Sequence, residues 1–120
     1  MRYRESEEMY LETILVLKKK ISCVRSIDIA TELSYSRPSV SRAVNLLQGK
    51  GYIIIAKNGE INFTEEGLKR ATEIQERHSV ITEVFTRLGA DQEVAEENAC
   101  RVEHVITSEL MQVLKKFIEK

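Results

Sequence analysis

A mainly α-helical fold with one small β-hairpin is what these 120 residues predict, and three observations carry the reading. Apolar residues recur at three- and four-residue spacing through most of the chain, the period of amphipathic helices. Only residues 52–63 switch to β-branched runs around an Asn-Gly turn. Ser, Thr and Asp stand where helices should begin, and Gly where they should stop. Hydrophobic residues make up 42% and charged residues 31% of the chain, the composition of a globular protein, and no apolar run is long enough for a membrane span. No Gly-, Ser- or Pro-rich linker divides the sequence, and it contains no internal repeat.

Glu7 to Lys20 reads as the first helix, with Met9, Tyr10, Ile14 and Leu17 inward, Ser6 as its cap and three lysines closing its last turn. Met9 and Glu12, three apart, share a face. Methionine in such a place is ordinarily a core gap-filler.

Val24 to Leu33 reads as a short helix with Ile27, Ala30 and Leu33 inward and Ser26 near its start. After Ser34-Tyr35 a further helix runs through Lys50, with Val40, Val44 and Leu47 at helical spacing. Ser36 suits its cap, and Pro38 suits a first turn, where a missing N–H costs nothing. Two short helices joined by a tight turn make a helix-turn-helix, whose second member is the candidate reader of a DNA major groove. The side chains fit that use. Ser36, Ser39 and Ser41 are short enough to approach phosphates or base edges, and Arg37 and Arg42 can reach phosphate or guanine. Arg25 is placed to touch the DNA backbone, and the helix N-terminus itself offers N–H groups to a phosphate.

Gly51 ends that helix. Tyr52–Ala56 reads as a strand, Lys57-Asn58-Gly59-Glu60 as a turn and Ile61–Phe63 as a second strand. A hairpin directly after a helix-turn-helix is a wing, with Lys57 near its tip as a phosphate contact. Residues 1–63 therefore read as a winged helix-turn-helix domain and residues 64–120 as a helical domain.

Thr64 opens a long helix to about Leu88, with Leu68, Ala71, Ile74, His78, Ile81 and Phe85 as one stripe, and Gly89 stops it. His78 on that stripe is either a hydrogen-bonded core histidine or a ligand. Asp91 to about Thr107 reads as the next helix and carries Ala-Cys-Arg-Val-Glu-His at 99–104 near its middle. At 100° per residue, Cys100, Glu103 and His104 fall within about 100° of one face. A thiolate, a carboxylate and an imidazole aimed at one point suit a divalent transition metal, whereas apolar packing has no need of them. Glu96, four residues before Cys100, lies near the same face. Ser108 reads as the cap of a last helix, in which Leu110, Val113, Leu114 and Phe117 are placed to pack between subunits.

The net charge of −1 conceals an asymmetry. Residues 1–64 hold ten Lys/Arg against seven Asp/Glu, residues 65–120 hold eight against twelve, and residues 18–57 hold eight against two. A basic front and an acidic back suit a polyanion at one end and cations at the other. The N-terminus lacks the apolar core of a signal peptide, and two cysteines, Cys23 and Cys100, fit a reducing cytoplasm better than a disulfide scaffold. Cys23 reads as a buried thiol.

Four motifs in order, Met9-Tyr10-Leu11, Ser36-Arg37-Pro38-Ser39-Val40-Ser41, Arg77-His78 and Ala99–His104, resemble the diphtheria-toxin-repressor family of metal-dependent transcriptional repressors across essentially the whole chain. The resemblance implies a winged-helix domain followed by a helical dimerisation domain, acting as a cytoplasmic homodimer on a palindromic double-stranded operator. It implies a primary metal site of Met9, Cys100, Glu103 and His104. It also implies an ancillary site using His78, with one family position at Glu96 and a carboxylate position falling at Thr82, next to Glu83. Glu12 matches a ligand of the manganese-responsive branch, whereas Met9 and Cys100 match the iron-responsive one. In length the chain resembles the two-domain manganese type, without the SH3-like third domain. Thioether and thiolate are soft donors, which places Fe(II) first as corepressor and Mn(II) next, with Co(II), Ni(II) or Zn(II) able to bind in vitro. The alternative is a metal-independent winged-helix regulator or assembly module. No zinc-protease motif or nucleophile triad points to an enzyme.

Overall fold

The computed structural model describes residues 7–119, so the expected cap Ser6 lies outside the described residues. The element order is α1 (Glu7–Lys20), α2 (Ser26–Leu33), α3 (Arg37–Gly49), β1 (Ile53–Ile55), β2 (Ile61–Phe63), α4 (Glu65–Arg87), α5 (Gln92–Val102) and α6 (Ser108–Glu119). Two compact units divide the chain between Thr72 and Glu73, so that α4 begins in the first and continues in the second.

In the first unit α1, α2 and α3 pack against one another and α3 against β1. Leu11, Ile14, Val24, Ile29, Val40, Val44, Leu47, Ile53 and Ile61 are essentially fully buried and form its core. The inward face of α2 keeps Ala30, as expected, but takes Ile29 in place of Ile27. Ile29 is fully buried whereas Ile27 is 40% exposed, because a helix of two turns leaves its phase to the neighbours it packs on. The helix also starts at Ser26, behind an Asp28 carboxylate that accepts the Arg25 N–H at 2.8 Å. Ser34 closes it in the left-handed region (φ 58°), and the Tyr35 N–H returns to Ala30 O at 3.1 Å. Ser36 caps α3 by accepting the Ser39 N–H at 3.3 Å, with Pro38 in the first turn, where it removes no helical bond. At the far end Gly51 takes φ 84°, which lets the Tyr52 N–H reach back to Leu47 O.

β1 and β2 pair antiparallel, Ile53 with Phe63 and Ile55 with Ile61. Ala56 and Glu60 close the loop 57–59, where Gly59 at φ 88° supplies the left-handed residue that a three-residue hairpin loop requires. The hairpin is held at several points. Ile61 N donates to Val24 O, Lys18 Nζ to Asn62 Oδ1, Ile55 N to Gln48 Oε1 and Arg25 Nε to Asn58 O. Thr64 joins it to α4: its hydroxyl donates to Gly51 O at 2.6 Å and accepts the Gly67 N–H at 3.1 Å, capping the helix. A Cβ at Gly67 would stand 1.8 Å from Tyr52 O, so only glycine permits this approach. Leu68, expected inward, is 47% exposed.

The second unit is built on Val80, Ile81, Ala99 and Met111, with Phe85, Val102, Ile106, Leu114 and Ile118 packed on them. Gly89 at φ 110° ends α4 as expected. α5 ends at Val102, well short of Thr107, so Cys100, Glu103 and His104 lie at the helix end and not at its middle. Thr107, not Ser108, caps α6, its hydroxyl accepting the Leu110 N–H at 3.2 Å. Leu110, Val113 and Phe117 on α6 remain 42–59% exposed, an apolar stripe that this copy of the chain does not cover. No helix among the described residues is long and apolar enough to cross a membrane.

Candidate metal centre and nucleic-acid interface

Glu103 is a carboxylate with none of its surface exposed. It sits just past the last turn of α5, its N–H bonded to Ala99 O and its own carbonyl accepting Arg77 Nη1 at 3.0 Å, so the backbone that aims it is fixed from α4. Neither side-chain oxygen takes a hydrogen bond among the described residues. Each faces a histidine nitrogen instead: His78 Nδ1 is 3.5 Å from Oε2, and His104 Nε2 is 3.6 Å from Oε1. One donor atom each of Cys100, Glu103 and His104 lies within 4.8 Å of the others. Cys100 is not in a disulfide.

A buried carboxylate without hydrogen bonds costs several kcal/mol unless a positive charge compensates it. The separations are too long for hydrogen bonds yet suited to donors arranged around a common centre. Sulfur, carboxylate oxygen and imidazole nitrogen together suit a borderline-soft divalent ion. These residues fit a bound transition metal.

His78 also lines a polar cavity of about 350 Å³ with Ser79, Thr82, Glu83, Thr86, Gln92 and Glu96. The carboxylates there are engaged: Glu96 accepts Gln92 Nε2 at 2.9 Å and Glu83 accepts Arg87 Nη2 at 2.5 Å. Thr82 is buried with its hydroxyl lacking a hydrogen-bond partner among the described residues.

Met9 and Glu12 belong to the other unit and lie one turn apart on α1. Met9 is buried and Glu12 partly so. The Tyr35 hydroxyl donates to Met9 Sδ at 3.7 Å, a contact that sequence reasoning did not find because it depends on how α1 meets the turn before α3.

The expected DNA-facing side chains are open to solvent on the same unit. Arg25, Ser36, Arg37, Pro38, Ser41, Arg42 and Lys57 are exposed and Ser39 is half-buried. Ser36, Ser39 and Arg42 form a chain of hydrogen bonds at the start of α3, Ser36 Oγ to Ser39 Oγ at 2.9 Å and Arg42 Nη2 to Ser39 Oγ at 3.4 Å. Arg25 does more than face outward, since its Nε holds the wing-tip carbonyl of Asn58 at 2.9 Å. Asn45, exposed one turn beyond Ser41, was absent from the expected set although its spacing places it on the same face.

Comparison with known proteins matches residues 3–61 to the iron-dependent repressor N-terminal DNA-binding domain and residues 64–120 to the iron-dependent repressor metal-binding and dimerisation domain. An uncharacterised helix-turn-helix transcriptional regulator of Methanocaldococcus jannaschii is 31% identical over 118 residues, 97% of this chain and 94% of that one. The transcriptional regulator MntR of Escherichia coli O6:H1 is 30% identical over 117 residues, 98% of this chain and 76% of that protein. Among solved structures, T. acidophilum IdeR superposes with a TM-score of 0.82 at 26% identity, covering all of this chain but 56% of that one. The chain thus spans about half the length of that structure. With both halves matched, the chain belongs to the iron-dependent repressor family of metal-dependent, DNA-binding transcriptional regulators, the family its four motifs resemble.

Proposed function

We propose that this chain is a cytoplasmic, homodimeric repressor that takes Fe(II) as corepressor, with Mn(II) as the next candidate, and controls metal-homeostasis genes through a palindromic operator. The observation that carries the reading is the buried Glu103 carboxylate, faced by His78 and His104 nitrogens with the Cys100 sulfur beside it. In this reading Met9 of α1, with Glu12 beside it, completes a primary set with Cys100, Glu103 and His104, while His78 and Glu96 serve an ancillary site. The bound ion supplies the positive charge that a buried carboxylate and a thiolate lack. Cys100 gives up its proton on binding, as thiolate ligands do.

Without the ion, the carboxylates of Glu12, Glu96 and Glu103 oppose one another's approach. When the primary set shares the ion, α1 is fixed relative to the helices that carry α6, and α6 joins two copies through Leu110, Val113 and Phe117. Two α3 helices then sit at a separation compatible with successive major grooves, about 34 Å. Affinity rises because one separation among several is favoured. Soft donors favour Fe(II) over Mn(II), although the ligand field of Glu12 and Glu103 admits both. Arg25, Ser36, Arg37, Pro38, Ser39, Ser41, Arg42 and Lys57 form the surface that meets DNA, with arginines and Lys57 on phosphates or guanines and the serines at close range.

The test is a gel-shift titration of the full chain, under anaerobic conditions, on a duplex selected from random sequence with and without Fe(II). A shift that needs Fe(II) supports the reading, and equal binding in both states removes the switch.

A further inference from the structure

Methionine has three freely rotating side-chain bonds and a weakly basic sulfur, which makes it a poor ligand unless its surroundings fix it. Met9 is 5% exposed, and its thioether is met by the Tyr35 hydroxyl at 3.7 Å, within reach of an O–H···S hydrogen bond. Tyr35 is itself held. Its N–H donates to Ala30 O at 3.1 Å, and its ring stands against Tyr10 at 6.3 Å between centroids, tilted by 59°. It also occupies a special place in the chain, between the left-handed residue that ends α2 (Ser34, φ 58°) and the residue that caps α3 (Ser36).

We infer that Tyr35 is a positioning residue: its hydroxyl fixes the Met9 sulfur for metal ligation and ties that ligand to the turn of the helix-turn-helix. Thioether sulfur has two lone pairs, so one can accept the phenol proton while the other faces a metal. Hydrogen bonds from outside the coordination sphere commonly orient ligands in this way, and losing one lowers metal affinity by about 10–100-fold. The inference rests on Met9 being a ligand, as proposed above. It adds a second consequence within the first unit: the ligand on α1 and the cap of α3 are joined through one side chain, so a sulfur that is held in place also steadies the start of the reading helix.

The experiment is a double-mutant cycle on the full chain with Co(II) as probe, comparing wild type, Tyr35→Phe, Met9→Leu and the double variant by anaerobic titration. Phenylalanine keeps the ring against Tyr10 and removes only the hydroxyl. Expected is about a tenfold weaker Co(II) affinity for Tyr35→Phe and no additional loss when that change is made in the Met9→Leu background. Wild-type affinity in Tyr35→Phe alongside weakened Met9→Leu overturns the inference and leaves Met9 as a ligand. An equal Tyr35→Phe loss in both backgrounds also overturns it, since the hydroxyl then acts elsewhere. Unchanged affinity in Met9→Leu overturns the proposed ligand set itself. A second reading avoids metal altogether. In metal-free protein labelled at methionine methyl groups, the Met9 resonance should move in Tyr35→Phe, and an unmoved resonance denies the contact.

Discussion

His78 Nδ1 lies 3.5 Å from Glu103 Oε2, a histidine from the middle of α4 meeting the carboxylate at the end of α5. His104 Nε2 faces the other oxygen at 3.6 Å, so the one fully buried carboxylate described in this structure stands between two imidazoles. If these residues hold a metal, an arrangement that is costly without the ion would supply ligands to it, and metal binding would add to the stability of the fold.

Glu103→Gln tests this directly. The metal-free variant should be at least as stable as metal-free wild type, because a neutral amide replaces a carboxylate that has no hydrogen bond among the described residues. Metal at a hundredfold excess over its dissociation constant should raise wild-type stability by about 2.7 kcal/mol. Little of that gain should remain in the variant. Paired thermal melts with and without Co(II) give all four numbers.

Much of this was legible in the sequence, and the failures share a cause. Ser36, Pro38, Gly51, Gly59 and Gly89 act where their own chemistry demands, as caps, first-turn residue or left-handed residues, so those boundaries could be read locally. The phase of α2 could not, because Ile27 and Ile29 are equally apolar and only the neighbouring helices choose between them. Nor could the end of α5. No glycine or proline marks it, and the residues from 103 to 107 suit a helix as well as the turn they adopt before Thr107 caps α6. Cys100, Glu103 and His104 stood out by spacing alone. The approach of His78 to Glu103, and of Tyr35 to Met9, depends on how helices pack, which spacing within one helix does not encode.

Metal preference should follow the donors. Replacing Met9 by Asp together with Cys100 by Glu exchanges two soft atoms for hard ones, and the ranking should move toward Mn(II) and away from Co(II). Competition titrations of the double variant against wild type check it, and an unchanged ranking speaks against these two residues as ligands.

Arg25 and Lys57 should act on DNA as a unit. Arg25 Nε holds Asn58 O, the neighbour of Lys57 in the loop at the wing tip, so removing Arg25 also loosens the tip that carries Lys57. Arg25→Ala and Lys57→Ala should be non-additive in DNA affinity, with a coupling of about 0.5–3 kcal/mol, whereas Arg37→Ala and Lys57→Ala should simply add. Each of Arg37→Ala and Lys57→Ala should reduce the salt dependence of binding by about one counterion. Fluorescence anisotropy across a salt series measures both quantities.

The stripe on α6 should carry dimerisation. Val113 and Phe117 are 59% and 42% exposed, and charges there desolvate poorly in an interface between copies. Val113→Glu with Phe117→Glu should shift sedimentation from dimer toward monomer and weaken operator binding, while metal-free melting changes little. An unaltered dimer would place the interface elsewhere.

If one metal centre governs how well the protein holds DNA, thermodynamic linkage makes the effect reciprocal. The most direct measurement is therefore the Fe(II) affinity of the full chain, free and bound to its selected duplex, under anaerobic conditions. Fe(II) should bind the DNA complex more tightly, by the same factor by which Fe(II) tightens DNA binding, roughly 5–150-fold. Identical Fe(II) affinities on and off DNA would mean that the metal does not govern DNA binding.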